Sequence, residues 1–174
     1  FKGEGEAIWL IGGEGTHLGQ SIWLREVQGR EAGAPPPIDL AAERAHGDAV
    51  RALVQAGTVT AVHDISDGGL IVTIAEMALA GKIGATLDPL NTAQAFGEDQ
   101  ARYVVTTPAN VTLDGAVRIG ATGGDSVAGV DARARRRDLR GPAEAVVVGF
   151  GDRDAGDLGG HLDGAKVELV DADG

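Results

Sequence analysis

The segment VHDISDGGL, residues 62–70, joins a strand-like run to a helix-like run. Thr58 to Val62 is rich in β-branched residues and is short enough to form one buried strand. Leu70 to Ala78 places apolar residues at helical spacing, and Gly81 follows where a left-handed helix end is typical. The segment therefore predicts a strand, a loop and a helix in succession, which is the repeating unit of α/β proteins.

The flanking sequence extends this alternation of strands and helices. Glu6 to Ile11 predicts a first strand, and Leu18 to Val27 predicts a short helix. Asp39 is a suitable N-cap for a helix that ends before Gly57, where a left-handed residue is expected. Further strands are predicted at 83–87, 101–106, 117–121 and 166–170, a loop is predicted at 89–96, and a short apolar run lies at 146–150. We expect an α/β (α+β) fold, a layered α/β/α domain with a mixed sheet.

Composition excludes several classes of protein. The 174 residues suffice for one domain with a core, and with only 3% aromatics that core must rest on aliphatic side chains. No apolar run approaches the roughly 18 residues of a membrane span, and no signal peptide pattern is present. The absence of cysteine excludes disulfides and permits a reducing compartment. That compartment is expected to be the cytoplasm. Because the net charge is −11, we expect the protein to bind neither nucleic acid nor membrane.

The loop at residues 63–69 is the first candidate site, because ligands of open α/β sheets gather where strands end. Its adjacent glycines let the backbone approach a ligand closely, and Asp64 and Asp67 could hold Mg²⁺. A purely structural interpretation is also open, in which Asp67 or Ser66 caps the following helix and His63 only packs. The candidate ligand-binding residues here are His63, Asp64, Ser66, Asp67, Gly68 and Gly69.

Two further segments carry weaker signals. Glu98, Asp99 and Gln100 directly precede a predicted strand and could bind a metal, a sugar or an amide, or could form a solvated turn. The stretch from Thr122 to Asp125 could form an anion-binding nest or a tight turn. The arginines between 133 and 140 are predicted to be solvated, since no aromatic residues accompany them for base stacking.

Taken in order, these segments resemble the aminoimidazole ribonucleotide synthetase superfamily, whose members use ATP to activate an amide or similar oxygen. VHDISDGGL, followed by AEMA at 75–78, is similar to the signature of its C-terminal domains. Within the superfamily, several segments are similar to the second C-terminal domain of the phosphoribosylformylglycinamidine synthases. They are FGEDQARY (96–103), LGQS (18–21), PIDL (37–40) and IGATGGD (119–125). The resemblance covers about residues 1–130.

The resemblance implies a part of an ATP-dependent C–N ligase of the glutamine amidotransferase type. Such enzymes convert formylglycinamide ribonucleotide to formylglycinamidine ribonucleotide in purine biosynthesis, with ATP and Mg²⁺ as cofactors. The implied partners are the remaining synthetase domains, a glutaminase subunit or domain and the nucleotide substrate. Glu98-Asp99-Gln100 resembles the pseudo-symmetric counterpart of a substrate-contacting segment. Most catalytic residues of the family match no position here, so the isolated chain is expected to be inactive. The alternative is a non-catalytic nucleotide-binding or scaffolding module of the same fold.

The same resemblance divides the chain into three parts. Residues 1–14 are expected to end a preceding N-terminal-type domain, and residues 15–130 to form the C-terminal synthetase-type domain. Residues 131–174 depart from the family pattern, because they are rich in Arg, Gly, Ala and Asp. We expect this atypical tail to be disordered, or to derive from a shifted reading frame.

Overall fold

The computed structural model describes residues 1–130 together with two strands at residues 144–150 and 165–171. The strands are β1 (Ala7–Ile11), β2 (Ala61–Asp64), β3 (Ala85–Leu90), β4 (Tyr103–Thr107), β5 (Ala116–Thr122), β6 (Ser126–Val130), β7 (Glu144–Phe150) and β8 (Ala165–Asp171). The helices are α1 (Leu40–Gln55), α2 (Gly69–Gly81) and α3 (Thr92–Phe96), and Trp23–Val27 forms a π-helical turn. No helix within these described ranges is long and apolar enough to cross a membrane.

All eight strands form one sheet in the order β2-β4-β1-β5-β3-β6-β7-β8. The pair of β3 and β6 is parallel and the other neighbouring pairs are antiparallel. Helix α1 packs on one face of the sheet, and α2 packs on the other face, where α3 contacts it. The predicted layered α/β/α arrangement with a mixed sheet is confirmed.

Strand β1 lies inside the sheet and is buried on both faces. Its residues Ala7, Trp9 and Ile11 share a hydrophobic cluster with Val50 of α1, whereas Ile8 and Leu10 pack in the cluster that contains α2. Double burial explains why the strand AIWLI is apolar throughout instead of alternating. Strand β1 is hydrogen-bonded to β4 and β5 of the same sheet, and the domain boundary expected after residue 14 stays a prediction.

The predicted capping residues of α1 are confirmed, whereas the left-handed residue predicted at the end of α2 is a different one. The Asp39 side chain accepts hydrogen bonds from the N–H groups of Ala41 and Ala42 as the N-cap of α1, and Gly57 is left-handed with φ of 65°. In α2 the left-handed residue is Lys82, not Gly81. Gly81 is required for a different reason, since a Cβ there would lie 2.3 Å from the carbonyl oxygen of Phe1.

Several element boundaries differ from the sequence prediction. Strand β2 begins at Ala61 instead of Thr58, and β3 extends to Leu90. The predicted loop at 89–96 is wrong, because it contains α3, whose N-terminus is closed by a reciprocal capping box between Asn91 and Gln94. Strand β6 was not predicted, whereas the predicted strand at 166–170 is present within β8, and the apolar run at 146–150 lies in β7. The rest of the tail lies outside the described residues, so its expected disorder and its shifted reading frame stay predictions.

Candidate functional site

Three loops meet at one end of the sheet. Asp64 ends β2 opposite Tyr103 at the start of β4, and Tyr103 in turn pairs with Ile11 at the end of β1. Because these residues are in register, the loops that follow β1 and β2 and the loop that precedes β4 lie side by side. The structure thus brings together the two strongest candidate segments, residues 63–69 and 97–100, although they are far apart in the sequence.

Glu98 connects all three loops through one carboxylate oxygen. Its Oε1 accepts hydrogen bonds from the N–H groups of Gly68 and Ile22, each at 2.8 Å. Its own N–H donates to the carbonyl oxygen of His17 at 3.1 Å. Through these contacts Glu98 holds the backbone of the three loops together. A carboxylate suits this role because hydrogen bonds to an ionised acceptor are stronger than those between neutral groups.

Asp99 holds the loop after β1 in the same manner. Its Oδ2 accepts from the backbone N–H groups of Thr16 and His17 at 2.7 and 2.9 Å, and its Oδ1 accepts from the Thr16 hydroxyl at 2.7 Å. Burial by itself raises the pKa of Asp99, but the hydrogen bonds from His17 and Thr16 outweigh it, and the pKa lies below its ordinary value. The third residue of this segment, Gln100, remains exposed, and its side-chain amide donates to the Glu98 carbonyl oxygen at 3.2 Å.

The start of α2 is built from two glycines, as the ligand interpretation requires. Gly68 is the left-handed N-cap with φ of 80°, and no side chain caps this helix end. The proposed capping by Asp67 or Ser66 is therefore wrong; Ser66 contributes only its carbonyl oxygen, which accepts from the N–H of Gly69. A Cβ on Gly69 would lie 2.7 Å from the carbonyl carbon of Phe96, so the segment before β4 touches the helix start directly.

The remaining predicted residues of the 63–69 loop lie on the rim. Ser66 and Asp67 are exposed. The His63 ring is paired through Nδ1 with the Asp64 carbonyl oxygen at 2.7 Å, and its Nε2 lies 3.4 Å from Oε2 of Glu76 on α2. His63 and Glu76 also line an open cleft of about 520 Å³ between β2, α2 and the first two residues. The side chain of His63 thus faces this cleft beside α2.

Carboxylates suited to a metal are present on this rim, but they do not form a complete cage. Within the part of the chain that the structure describes, no three His, Cys, Asp or Glu side chains are grouped closely enough to hold a metal ion. The Asp64 and Asp67 carboxylates are both exposed at the loop. Mg²⁺ commonly takes one or two protein carboxylates and completes its shell with water and phosphate oxygens, so this donor set fits such an ion only beside a bound phosphate.

Sequence reasoning missed the structural role of Arg102. This arginine is only 2% exposed, and it donates from Nε to the Gly13 carbonyl oxygen at 2.9 Å and from Nη1 to the Gly97 carbonyl oxygen at 3.0 Å. Burial lowers its pKa, and the charges of Asp99 and Glu14 partly offset that effect. A charged residue directly before a short β-branched strand is the signal that could have indicated this role.

The third candidate segment does not join the site. Thr122 ends β5 and follows Ala121, which pairs with Ala7, at the opposite end of the sheet from Asp64. Its hydroxyl donates to the Gly3 carbonyl oxygen at 2.7 Å, and Gly84 exchanges backbone hydrogen bonds with Gly123 and Gly124. These contacts hold the segment from Thr122 to Asp125 as a short bend between β5 and β6.

Comparison with known proteins gives a consistent result. A family model described as "AIR synthase related protein, C-terminal domain" matches residues 3–119. The phosphoribosylformylglycinamidine synthase subunit PurL of Novosphingobium aromaticivorans is 63% identical over 137 residues, which cover 78% of this chain and 19% of that subunit. The subunit of the same name from Rhodopseudomonas palustris is 65% identical over 111 residues, which cover 61% of this chain and 15% of that subunit. The chain therefore spans less than a fifth of the length of these relatives.

Solved structures share the fold. T. maritima PurL complexed with FGAR superposes with a TM-score of 0.59 and 19% identity, covering 80% of this chain and 27% of that one. T. maritima PurL complexed with ATP gives a TM-score of 0.57 and 16% identity, covering 98% of this chain and 30% of that one. At such low identity the similarity establishes a common fold.

Proposed function

The chain belongs to the family of AIR synthase related protein C-terminal domains, and we propose that it serves as the second C-terminal domain of a phosphoribosylformylglycinamidine synthase. The observation that carries the proposal is the 63% identity to a subunit of that enzyme over 137 residues. Because the match covers 78% of the chain, the stretch it spans includes the candidate segments 63–69 and 97–100 in the middle of the sequence.

The proposed reaction converts formylglycinamide ribonucleotide to formylglycinamidine ribonucleotide with ATP and glutamine-derived ammonia. ATP supplies the phosphoryl group that turns the amide oxygen into a leaving group. In this proposal the phosphate oxygens lie at the start of α2, just beyond Gly68 and Gly69, where no side chain caps the helix. Asp64 and Asp67 would hold Mg²⁺ beside those phosphates, and Ser66 and Gln100 would lie around them. His63, the remaining candidate, would not contact them, because its side chain faces the cleft beside Glu76.

We propose that this site is shared with other parts of the synthase. The three loops form one open rim, and the described residues include no complete set of metal ligands. The isolated chain is therefore expected to be inactive until the remaining synthetase domains and a glutaminase are supplied. We propose that this assembly acts in the cytoplasm. A solved complex titled "Structure of PurLQS from Thermotoga maritima", with a TM-score of 0.55 and 18% identity, is consistent with such an assembly.

A scaffolding role is the second candidate function. The observation that favours it is that Glu98 and Asp99 accept five hydrogen bonds from groups of this chain and so serve its own backbone and the Thr16 hydroxyl. In that case the domain would support a catalytic site elsewhere and bind no nucleotide itself.

A chimera tests the proposed function. Residues 1–130 would replace the matching segment of the Novosphingobium subunit and be expressed in a strain that lacks this subunit. We expect growth without added purines and ATP-dependent synthesis with ammonia in vitro; the subunit without the segment is the negative control. Absence of both activities in a folded chimera would refute the proposal.

Calorimetry separates the two candidate functions. The active chimera would be titrated with MgATP and with formylglycinamide ribonucleotide, before and after Asp64→Asn and Asp67→Asn are combined. A weaker MgATP affinity in the double variant supports a nucleotide site at this rim. Unchanged affinities in an active enzyme would support the scaffolding role.

A further inference from the structure

Ala101 has a backbone conformation that its side chain does not favour. Its φ is 60°, in the left-handed region, and it connects Gln100 to the buried Arg102. In an L-residue this conformation crowds Cβ against the following carbonyl oxygen, so surrounding contacts must maintain it.

Two side chains of α1 hold the peptide groups of Ala101. Oε1 of Glu43 accepts the Ala101 N–H at 2.8 Å, and Nδ1 of His46 lies 2.8 Å from the Ala101 carbonyl oxygen. Because a carbonyl oxygen only accepts, His46 carries a proton on Nδ1 in this contact. Glu43 and His46 are three residues apart on α1 and therefore share one helix face.

The loop after β1 encloses the same residue from another side. A Cβ on Gly12 would lie 2.6 Å from the Ala101 carbonyl oxygen, so Gly12 and Ala101 are in close backbone contact. Ala101 is thus fixed by α1 and by the loop after β1, immediately beyond the segment in which Glu98 contacts Gly68.

We propose that Glu43 and His46 are positioning residues of the candidate site. By holding Ala101 left-handed, they set the direction in which the chain enters β4 and so place Glu98 against Gly68 at the start of α2. Helix α1 packs on the opposite face of the sheet from α2, so this contact couples the two faces. The link to nucleotide binding rests on the proposed function, whereas the link to the geometry of Gly68 does not.

The test, made in the chimera, combines a substitution that removes the contact to Ala101 with a second substitution that should restore substrate binding. Glu43→Ala should raise KM for the nucleotide substrates about tenfold and change kcat less than about twofold, as expected when one charge-assisted hydrogen bond that orders the site is lost. Adding Ala101→Gly should restore KM to within about twofold, because glycine adopts the left-handed conformation without support. Adding Lys82→Gly, which relieves another left-handed residue with φ of 54°, should not restore it.

Hydrogen exchange in the 174-residue chain gives a readout independent of activity. Glu43→Ala should accelerate exchange of the Gly68 amide at least about tenfold, although Glu43 does not contact it, and Ala101→Gly should reverse the effect. Unchanged Gly68 exchange, or no rescue by Ala101→Gly, would overturn the positioning role. An inactive wild-type chimera together with the expected exchange pattern would refute only the proposed function.

Discussion

The carboxylate of Glu98 accepts the N–H of Gly68 at 2.8 Å and so joins the segment before β4 to the start of α2. The same oxygen accepts the N–H of Ile22, which closes the loop after β1 onto this junction. One side chain thus satisfies backbone donors from two loops that are distant in the sequence.

Glu98→Ala should destabilise the chain by about 2 kcal/mol, since two N–H groups lose a charged acceptor in a half-buried place. Glu98→Gln should cost roughly half as much, because the amide oxygen still accepts but carries no charge. Urea unfolding measures both. Glu26→Ala removes an exposed carboxylate that pairs with Arg25 and is the matched control, expected to have no measurable effect. Equal stability of the Glu98 and Glu26 variants would contradict the role of Glu98.

Asp99 should make stability depend on pH in the acidic range. Its pKa in the folded chain lies below the ordinary value, so the unfolded chain binds its proton first as the pH falls. The stabilisation is therefore complete above the ordinary carboxyl range, and it is lost as the pH falls through the lower folded pKa. Asp99→Asn should lower stability at pH 7 and flatten the curve between about pH 5 and pH 3. The urea unfolding midpoint, measured across this pH range, tests the prediction. Asp67→Asn removes an exposed carboxylate and is the control, whose curve of stability against pH should keep the wild-type shape.

The sequence predicted the elements whose signals are local. Asp39 as N-cap, Gly57 as helix end and a strand at 6–11 depend on residue type and spacing alone, and the structure agrees to within one residue at the start of that strand. The short helix α3 was missed because five residues are too few for a periodic pattern, although its capping residues Asn91 and Gln94 were visible.

The candidate site was predicted as two segments, and its internal connections were not. Nothing in the sequence indicates that Glu98 reaches Gly68, because that contact depends on the register between β2 and β4. The glycine at 81 was assigned a conformational role, whereas it serves close packing against Phe1. Both errors arise where long-range contacts, not local preferences, determine what a residue does.

Gly69→Ala should be far more destabilising than its backbone angle alone requires. Gly69 has φ of 72°, and its added Cβ would meet the backbone of Phe96 and Gly97 at 2.7 and 2.8 Å. Gly57 has a similar φ of 65° with no atom within 4 Å of an added Cβ, so Gly57→Ala is a control with equal strain. We expect Gly69→Ala to cost about 2 kcal/mol more than Gly57→Ala, a typical cost of forced overpacking. A difference near zero in urea unfolding would show that the two segments can separate freely.

Arg102→Lys should convert a buried permanent charge into one that titrates. Arg102 is 2% exposed and bridges the carbonyl oxygens of Gly13 and Gly97, which a single ammonium group cannot reproduce with the same geometry. Burial lowers the pKa of Arg102, and it should lower that of a lysine there well below the value of about 10.4 in the unfolded chain.

The sign of the resulting pH dependence follows from proton binding. Between the two pKa values of the introduced lysine, the unfolded Arg102→Lys variant binds more protons than the folded one, so its stability should rise as the pH increases from about 7 to 10. Arginine stays charged over this range, and the wild type should show no such rise relative to the exposed-site control Arg118→Lys. Urea unfolding of the three proteins at several pH values provides the measurement. If stability changed with pH in the same way in all three proteins, water would reach the side chain at position 102. The carbonyl oxygens of Gly13 and Gly97 would then not need Arg102 as their hydrogen-bond donor.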